Sequence, residues 1–83
     1  MARRPLSLPF SAEALRETRE RAGLTLVDVA ERCKAAGHTV HSSTLGKIES
    51  GKHLPSPPLL AALTNALEVT VDDLLDPNKA RVA

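Results

Sequence analysis

The residues of this chain best placed to do chemistry are short, polar and clustered. His41, Ser42, Ser43 and Thr44 are followed, one helical turn further on, by Lys47. No carboxylate pair, nucleophile–base arrangement or glycine-rich phosphate loop accompanies them, so catalysis is not expected. Hydroxyls and one ammonium on a single helical face suit the base edges and phosphates of a nucleic-acid duplex instead. A helix that enters the major groove by its N-terminal half needs short polar side chains there, because bulky ones hold its backbone away. Lys47 on the same face can reach a guanine edge or a phosphate. Taken alone, Ser42, Ser43 and Thr44 read equally well as the solvated, capped start of an ordinary helix. The surrounding elements decide between the two.

Five helices are expected to hold this cluster in place. The first follows Ser11, an N-cap, and stops at Gly23, with Leu15 and Ala22, flanked by Ala14 and Thr18, on one face. Thr25 and Asp28 have the spacing of a capping box. Behind them Leu26, Val29, Ala30 and Cys33 fall at i, i+3, i+4 and i+7, a core-facing stripe that ends near Ala36 and Gly37. The helix carrying the polar cluster spans residues 42–50, with His41 or Ser42 as N-cap, Leu45 and Ile48 buried, and Gly51 as its stop. Ser56-Pro57 opens a fourth helix, whose apolar face is Leu59, Leu60, Leu63, Ala66 and Leu67. Thr70 and Asp73 form a second box and open a fifth, carrying Val71, Leu74 and Leu75 and halted by Asp76-Pro77. Residues 1–10 read as an extended N-terminal arm, residues 11–76 as the folded domain and residues 77–83 as a flexible tail.

Composition agrees with one small helical domain. Of 83 residues only Phe10 is aromatic, so the core must be aliphatic. The single cysteine excludes an internal disulfide, and Cys33 is expected to be a buried small hydrophobe. Cys33, His38 and His41 could be drawn as a metal site but lack a fourth ligand, so neither a metal nor another cofactor is expected. The longest apolar run, Leu59–Leu63, is far short of a membrane span, and no secretion signal is evident; a cytoplasmic protein without a membrane partner is expected. The net charge of +1 is unevenly spread. Residues 1–67 hold nine Lys/Arg against six Asp/Glu, whereas Glu68, Asp72, Asp73 and Asp76 stand without a base in residues 68–76. That acidic end should face away from a phosphate backbone.

Five stretches narrow the reading: LRETRERAGLT (15–25), VDVAERC (27–33), STLGKIESGKHLPS (43–56), LLAAL (59–63) and ALEVTVDDLL (66–75). In this order and spacing, over Leu15–Leu75, the chain resembles the Cro/repressor-type helix-turn-helix family, also called the XRE family. The resemblance implies a compact all-α, five-helix domain that binds double-stranded DNA. It further implies a transcriptional regulator of bacterial or phage type, often a repressor, acting as a dimer on an operator with two-fold symmetry. On the family's pattern Ser42, Ser43 and Lys47 face bases, Thr44 lies beside them and His41 stands at the helix entrance. Thr25 corresponds to a phosphate clamp at a helix N-terminus, where an anion is favoured in any case. Ser50, Lys52 and His53 fall in the loop that touches the other flank of the site, and Arg3 and Arg4 resemble a basic arm along DNA. Arg19 corresponds to a first-helix arginine that pairs with the acidic residue ending the third helix, here Glu49.

Three features depart from the family's pattern. The turn KAAGHTV (34–40) is about five residues longer than usual and should extend the second helix or bulge, leaving the third pinned by Leu45 and Ile48. Leu26 stands where a polar residue often meets DNA. Gly46 occupies the middle of the third helix, at a cost of roughly 1 kcal/mol relative to alanine, and its purpose is open between close approach to DNA and a tight helix contact. Leu67, Val69, Val71, Leu74 and Leu75 outnumber what one small core needs, so residues 64–75 are the expected contact of a weak homodimer that becomes firmer on DNA. The alternative to DNA binding is a protein-binding module or an antitoxin-like partner built on the same fold.

Overall fold

The computed structural model describes residues 9–76. Four α-helices are present among them: α1 (Ala12–Arg21), α2 (Leu26–Ala35), α3 (Ser42–Glu49) and α4 (Pro57–Leu67). Side chains written into the sequence start three of them. Ser11 Oγ accepts from the Ala14 N–H at 3.0 Å, Thr25 Oγ1 from the Asp28 N–H at 3.1 Å, and Ser56 Oγ from the Leu59 N–H at 3.4 Å. The Asp28 carboxylate returns the bond by accepting from the Thr25 N–H at 2.9 Å, completing the box. That hydrogen bond holds the Asp28 carboxyl below its ordinary range. Helix α3 starts from His41, which makes no side-chain cap bond; Ser42 is already inside the helix.

All four helices end with the same backbone motif. The N–H of Leu24, His38, Lys52 and Val69 bonds back to the carbonyl of Arg19, Cys33, Lys47 and Thr64, at 2.9 to 3.1 Å. The residue before each bonds three positions back, which makes each end a Schellman turn. Its left-handed position is glycine in three cases, Gly23, Gly37 and Gly51, but Glu68, with φ 57°, in the fourth. Arg32 reaches from α2 to this last turn, its Nη1 donating to the Ala66 carbonyl at 3.1 Å.

Helix α4 supplies the centre of the core with Leu59, Leu60, Ala62, Leu63, Ala66 and Leu67, all buried. Helix α2 packs on α4 and α3 through Val29 and Cys33, and α1 packs on α3 through Leu15. Leu45 and Ile48 pin α3 from beneath. Burial of each such leucine or isoleucine is worth about 1.5–3 kcal/mol. Cys33 is fully enclosed, and burial raises its thiol pKa.

Several expectations are corrected. The fifth helix is a short 3-10 helix, Val71–Leu74. Six residues between Thr70 and Pro77 leave no room for an α-helix once Leu75 turns extended (φ −102°, ψ 155°). Leu75 does so to form an isolated antiparallel bridge with Phe10. Ser11 N–H bonds the Leu74 carbonyl at 2.9 Å and Asp76 N–H the Pro9 carbonyl at 2.7 Å. Pro9 and Phe10, which read as part of an arm, are thus tied to the domain. Helix α2 stops at Ala35, one residue early, because Gly37 takes the left-handed position (φ 91°). The long turn after it is therefore a bulged loop, whose Val40 packs against the core. Ala22 belongs to the exposed end of α1 and not to its buried face. Of the apolar surplus expected over residues 64–75, Leu67, Leu74 and Leu75 are buried, whereas Val69 and Val71 are half-buried against the core and keep part of their surface outside.

Candidate nucleic-acid interface

Helix α3 is divided lengthwise. Leu45 and Ile48 face inward at 1% exposure, while His41, Ser43 and Lys47 are exposed and Ser42 and Thr44 half-exposed on the other side. Ser43 Oγ lies 3.4 Å from His41 Nδ1, so the entrance histidine and the first-turn serine are in register. Glu49, the other charge of the helix, is removed from this surface. Its carboxylate accepts from Arg19 Nε at 2.6 Å and from Arg19 Nη2 at 3.0 Å, in a paired fork geometry. Arg19 Nη1 also donates to the Leu24 carbonyl at 2.8 Å, so one guanidinium ties α1, the turn before α2 and the end of α3 together. The two side chains are only 15% and 8% exposed. The hydrogen bond to Glu49 raises the Arg19 pKa further, against the opposing effect of burial. An acidic residue at a helix C-terminus opposes the helix dipole, and here the arginine cancels it. Lys47 is therefore the one unneutralised charge that α3 shows to solvent.

The N-terminal ends of α2 and α3 meet around an open groove lined by Thr25, Leu26, Val27, Ser42, Ser43 and Gly46, with Arg19 at its back. Thr25 is exposed; its hydroxyl oxygen is held by the Asp28 N–H, which leaves the hydroxyl hydrogen free to be donated outward. Lys52 and His53 are exposed at the far end of α3, where their N–H groups bond the Lys47 carbonyl. Eight helical residues put that end about 12 Å from the groove, on the opposite flank. Ser50 is exposed, but its hydroxyl donates to the Lys47 carbonyl at 2.9 Å and caps α3. Arg3 and Arg4 lie outside the described residues. Among the described residues, no three His, Cys, Asp or Glu side chains gather as a metal site, and no helix is long and apolar enough to cross a membrane.

One contributor to the groove escaped the sequence reading. Val27 is 55% exposed although it is apolar. The signal was available, since Val27 falls off the core stripe made by Leu26, Val29, Ala30 and Cys33. The acidic residues Glu68, Asp72 and Asp73 are exposed on α4's end and the 3-10 helix, elements distinct from those that form the groove.

No curated protein and no solved structure matches the chain. A family model described as a helix-turn-helix domain matches residues 12–77, which span α1 through the 3-10 helix and contain both sides of the groove. The chain accordingly belongs to this helix-turn-helix domain family, of the XRE/Cro type of DNA-binding domain.

Proposed function

We propose that this domain binds double-stranded DNA in a sequence-specific manner, as a transcriptional regulator of bacterial or phage type. Helix α3 enters the major groove, Ser42, Ser43, Thr44 and Lys47 face bases, and His41 stands at the entrance. Thr25 on one flank and Lys52 and His53 on the other contact phosphates, and Ser50 joins them when its hydroxyl turns from the Lys47 carbonyl to donate to a phosphate oxygen. The observation that carries this reading is the lengthwise division of α3: short polar side chains and one free ammonium outward, Leu45 and Ile48 inward, and Glu49 neutralised by Arg19.

Selection of duplexes from a random pool, followed by titration, tests it. Binding should weaken steeply with salt, as counterions released from phosphates are recovered. Ser43→Glu and Lys47→Glu should each abolish binding to the selected duplex while leaving the helical circular dichroism unchanged. Parent-like binding by both variants would refute the assignment of α3.

A single helix reads only a few base pairs, so two copies on an inverted repeat are expected, their α3 helices about 34 Å apart. With Leu67, Leu74 and Leu75 drawn into the core, a contact through residues 64–75 would rest on the outer surface of Val69 and Val71, on Asn65 and Thr70 and on acidic side chains, and be weak in the absence of DNA. A second reading, a protein-binding module or antitoxin-like partner, draws on Leu54, an exposed apolar side chain (63%) in the loop after α3. Salt-insensitive association with a protein, and no duplex recovered from the pool, would favour it.

A further inference from the structure

Gly46 is costly where it stands. A glycine inside a helix loses roughly 1 kcal/mol relative to alanine, and nothing in the packing requires it. Its backbone is not in the left-handed region, and a Cβ built there would meet only Leu26 Cδ1, at 3.6 Å, an ordinary contact. The fold would thus accept alanine. What the missing side chain leaves is the floor of the groove between α2 and α3, with Leu26 and Val27 as an apolar wall and Ser42 and Ser43 at its lip. Val27 remains more than half exposed among the described residues.

The groove is continuous with the polar face of α3, so whatever α3 reads must pass over it. Base edges in the major groove present donors, acceptors and one apolar group, the C5-methyl of thymine. Donors and acceptors gain nothing from leucine, valine and bare Cα. A methyl does. We propose that Gly46, Leu26 and Val27 form the seat for a thymine C5-methyl, and that this seat sets a thymine preference at one position of each half-site. The inference rests on the DNA-binding reading above and adds the base that α2 and α3 read jointly.

Replacement of thymine by deoxyuridine removes the methyl and leaves every hydrogen-bonding group in place. The probe is a duplex selected by the parent protein, with its thymines changed to deoxyuridine one at a time. One position per half-site should weaken parent binding about four-fold, equivalent to about 0.8 kcal/mol for one buried carbon. In Gly46→Ala the new Cβ occupies the seat. That variant should melt at a higher temperature than the parent, bind the thymine duplex more weakly, and lose the discrimination between thymine and deoxyuridine. Val27→Ala, a change at an exposed side chain, should reduce the discrimination with no change in melting, and serves if Gly46→Ala folds poorly. The proposal is overturned if no thymine is sensitive to deoxyuridine, or if the discrimination survives in both variants. A duplex bound with no methyl dependence sinks the seat and leaves DNA binding standing. Failure of the parent to select any duplex sinks both.

Discussion

In a Glu68→Gly variant, the end of α4 would gain the backbone freedom that Gly23, Gly37 and Gly51 give the other three helices, and the domain should melt higher. Glu68 sits at φ 57°, ψ 45° with both bonds of the Schellman turn formed, Val69 N–H to Thr64 O at 3.0 Å and Glu68 N–H to Asn65 O at 3.3 Å. An L-residue in the left-handed region costs about 1–2 kcal/mol. Glycine relieves that cost but gains freedom in the unfolded chain, which returns about 0.4–1 kcal/mol. The side chain itself adds little. Among the described residues its ion pair is with Arg32 at 4.0 Å, exposed to 49% on one side and 84% on the other, and the Arg32 bond to Ala66 O survives the change. The net gain is about 0.7 kcal/mol, or about 3–6 °C in Tm for a domain of this size. Thermal melts followed by circular dichroism, with urea titration alongside, measure it. Glu68→Ala separates strain from charge, because it removes the ion pair and keeps the Cβ; it should melt at or slightly below the parent. Gly37→Ala runs the test backwards. No described atom lies within 4 Å of its added Cβ, so the strain of about 1–2 kcal/mol less the same unfolded-chain term leaves a loss of about 0.7 kcal/mol, owed to the backbone and not to a clash. If Glu68→Gly melts no higher than Glu68→Ala, the strain argument fails.

Removal of either partner of the Arg19–Glu49 pair leaves a largely buried charge, so Arg19→Ala or Glu49→Ala should lose about 1–3 kcal/mol. The double variant should lose less than the sum; additive losses in the cycle would mean the two do not couple. Because the Thr25 hydrogen bonds hold the Asp28 carboxyl below its ordinary value of 3.8, its contribution to stability is complete above about pH 4 and lost as pH falls through the lower folded value. Urea midpoints should therefore drop less steeply below pH 4 in Asp28→Asn than in the parent, and parallel acid limbs would contradict the cap assignment. Lys47→Ala should relax the sequence preference at one position of the half-site; an unchanged preference with the slope of log K against log salt lower by about 1 would place the ammonium on a phosphate instead. Sedimentation with the selected duplex should give two proteins per inverted repeat, and one per duplex at saturation would remove the dimer.

Local chemistry was legible in the residues themselves. Ser11, Thr25 and Ser56 start helices because their hydroxyls replace a missing backbone acceptor, and Gly23, Gly37 and Gly51 end them because a left-handed residue without Cβ is unstrained. Both signals act within four residues, so no tertiary knowledge is needed to read them. The pairing of Arg19 with Glu49 could be named through a family resemblance, but its fork geometry and burial depend on α1 and α3 lying side by side. Three features belong to the tertiary structure alone. The surplus of apolar residues in 64–75 looked like an interface in the sequence, where hydrophobicity says only that a residue is buried, and not by what; the core took Leu67, Leu74 and Leu75 whole and Val69 and Val71 in part. The fifth helix gives way to the bridge that sets Leu75 opposite Phe10, a partner more than sixty residues away in the chain. And Gly46, ambiguous as a letter, acquired a meaning only when an added Cβ was seen to meet Leu26 Cδ1 at an unstrained 3.6 Å, because whether a missing Cβ is required by packing depends on what the rest of the fold brings near it.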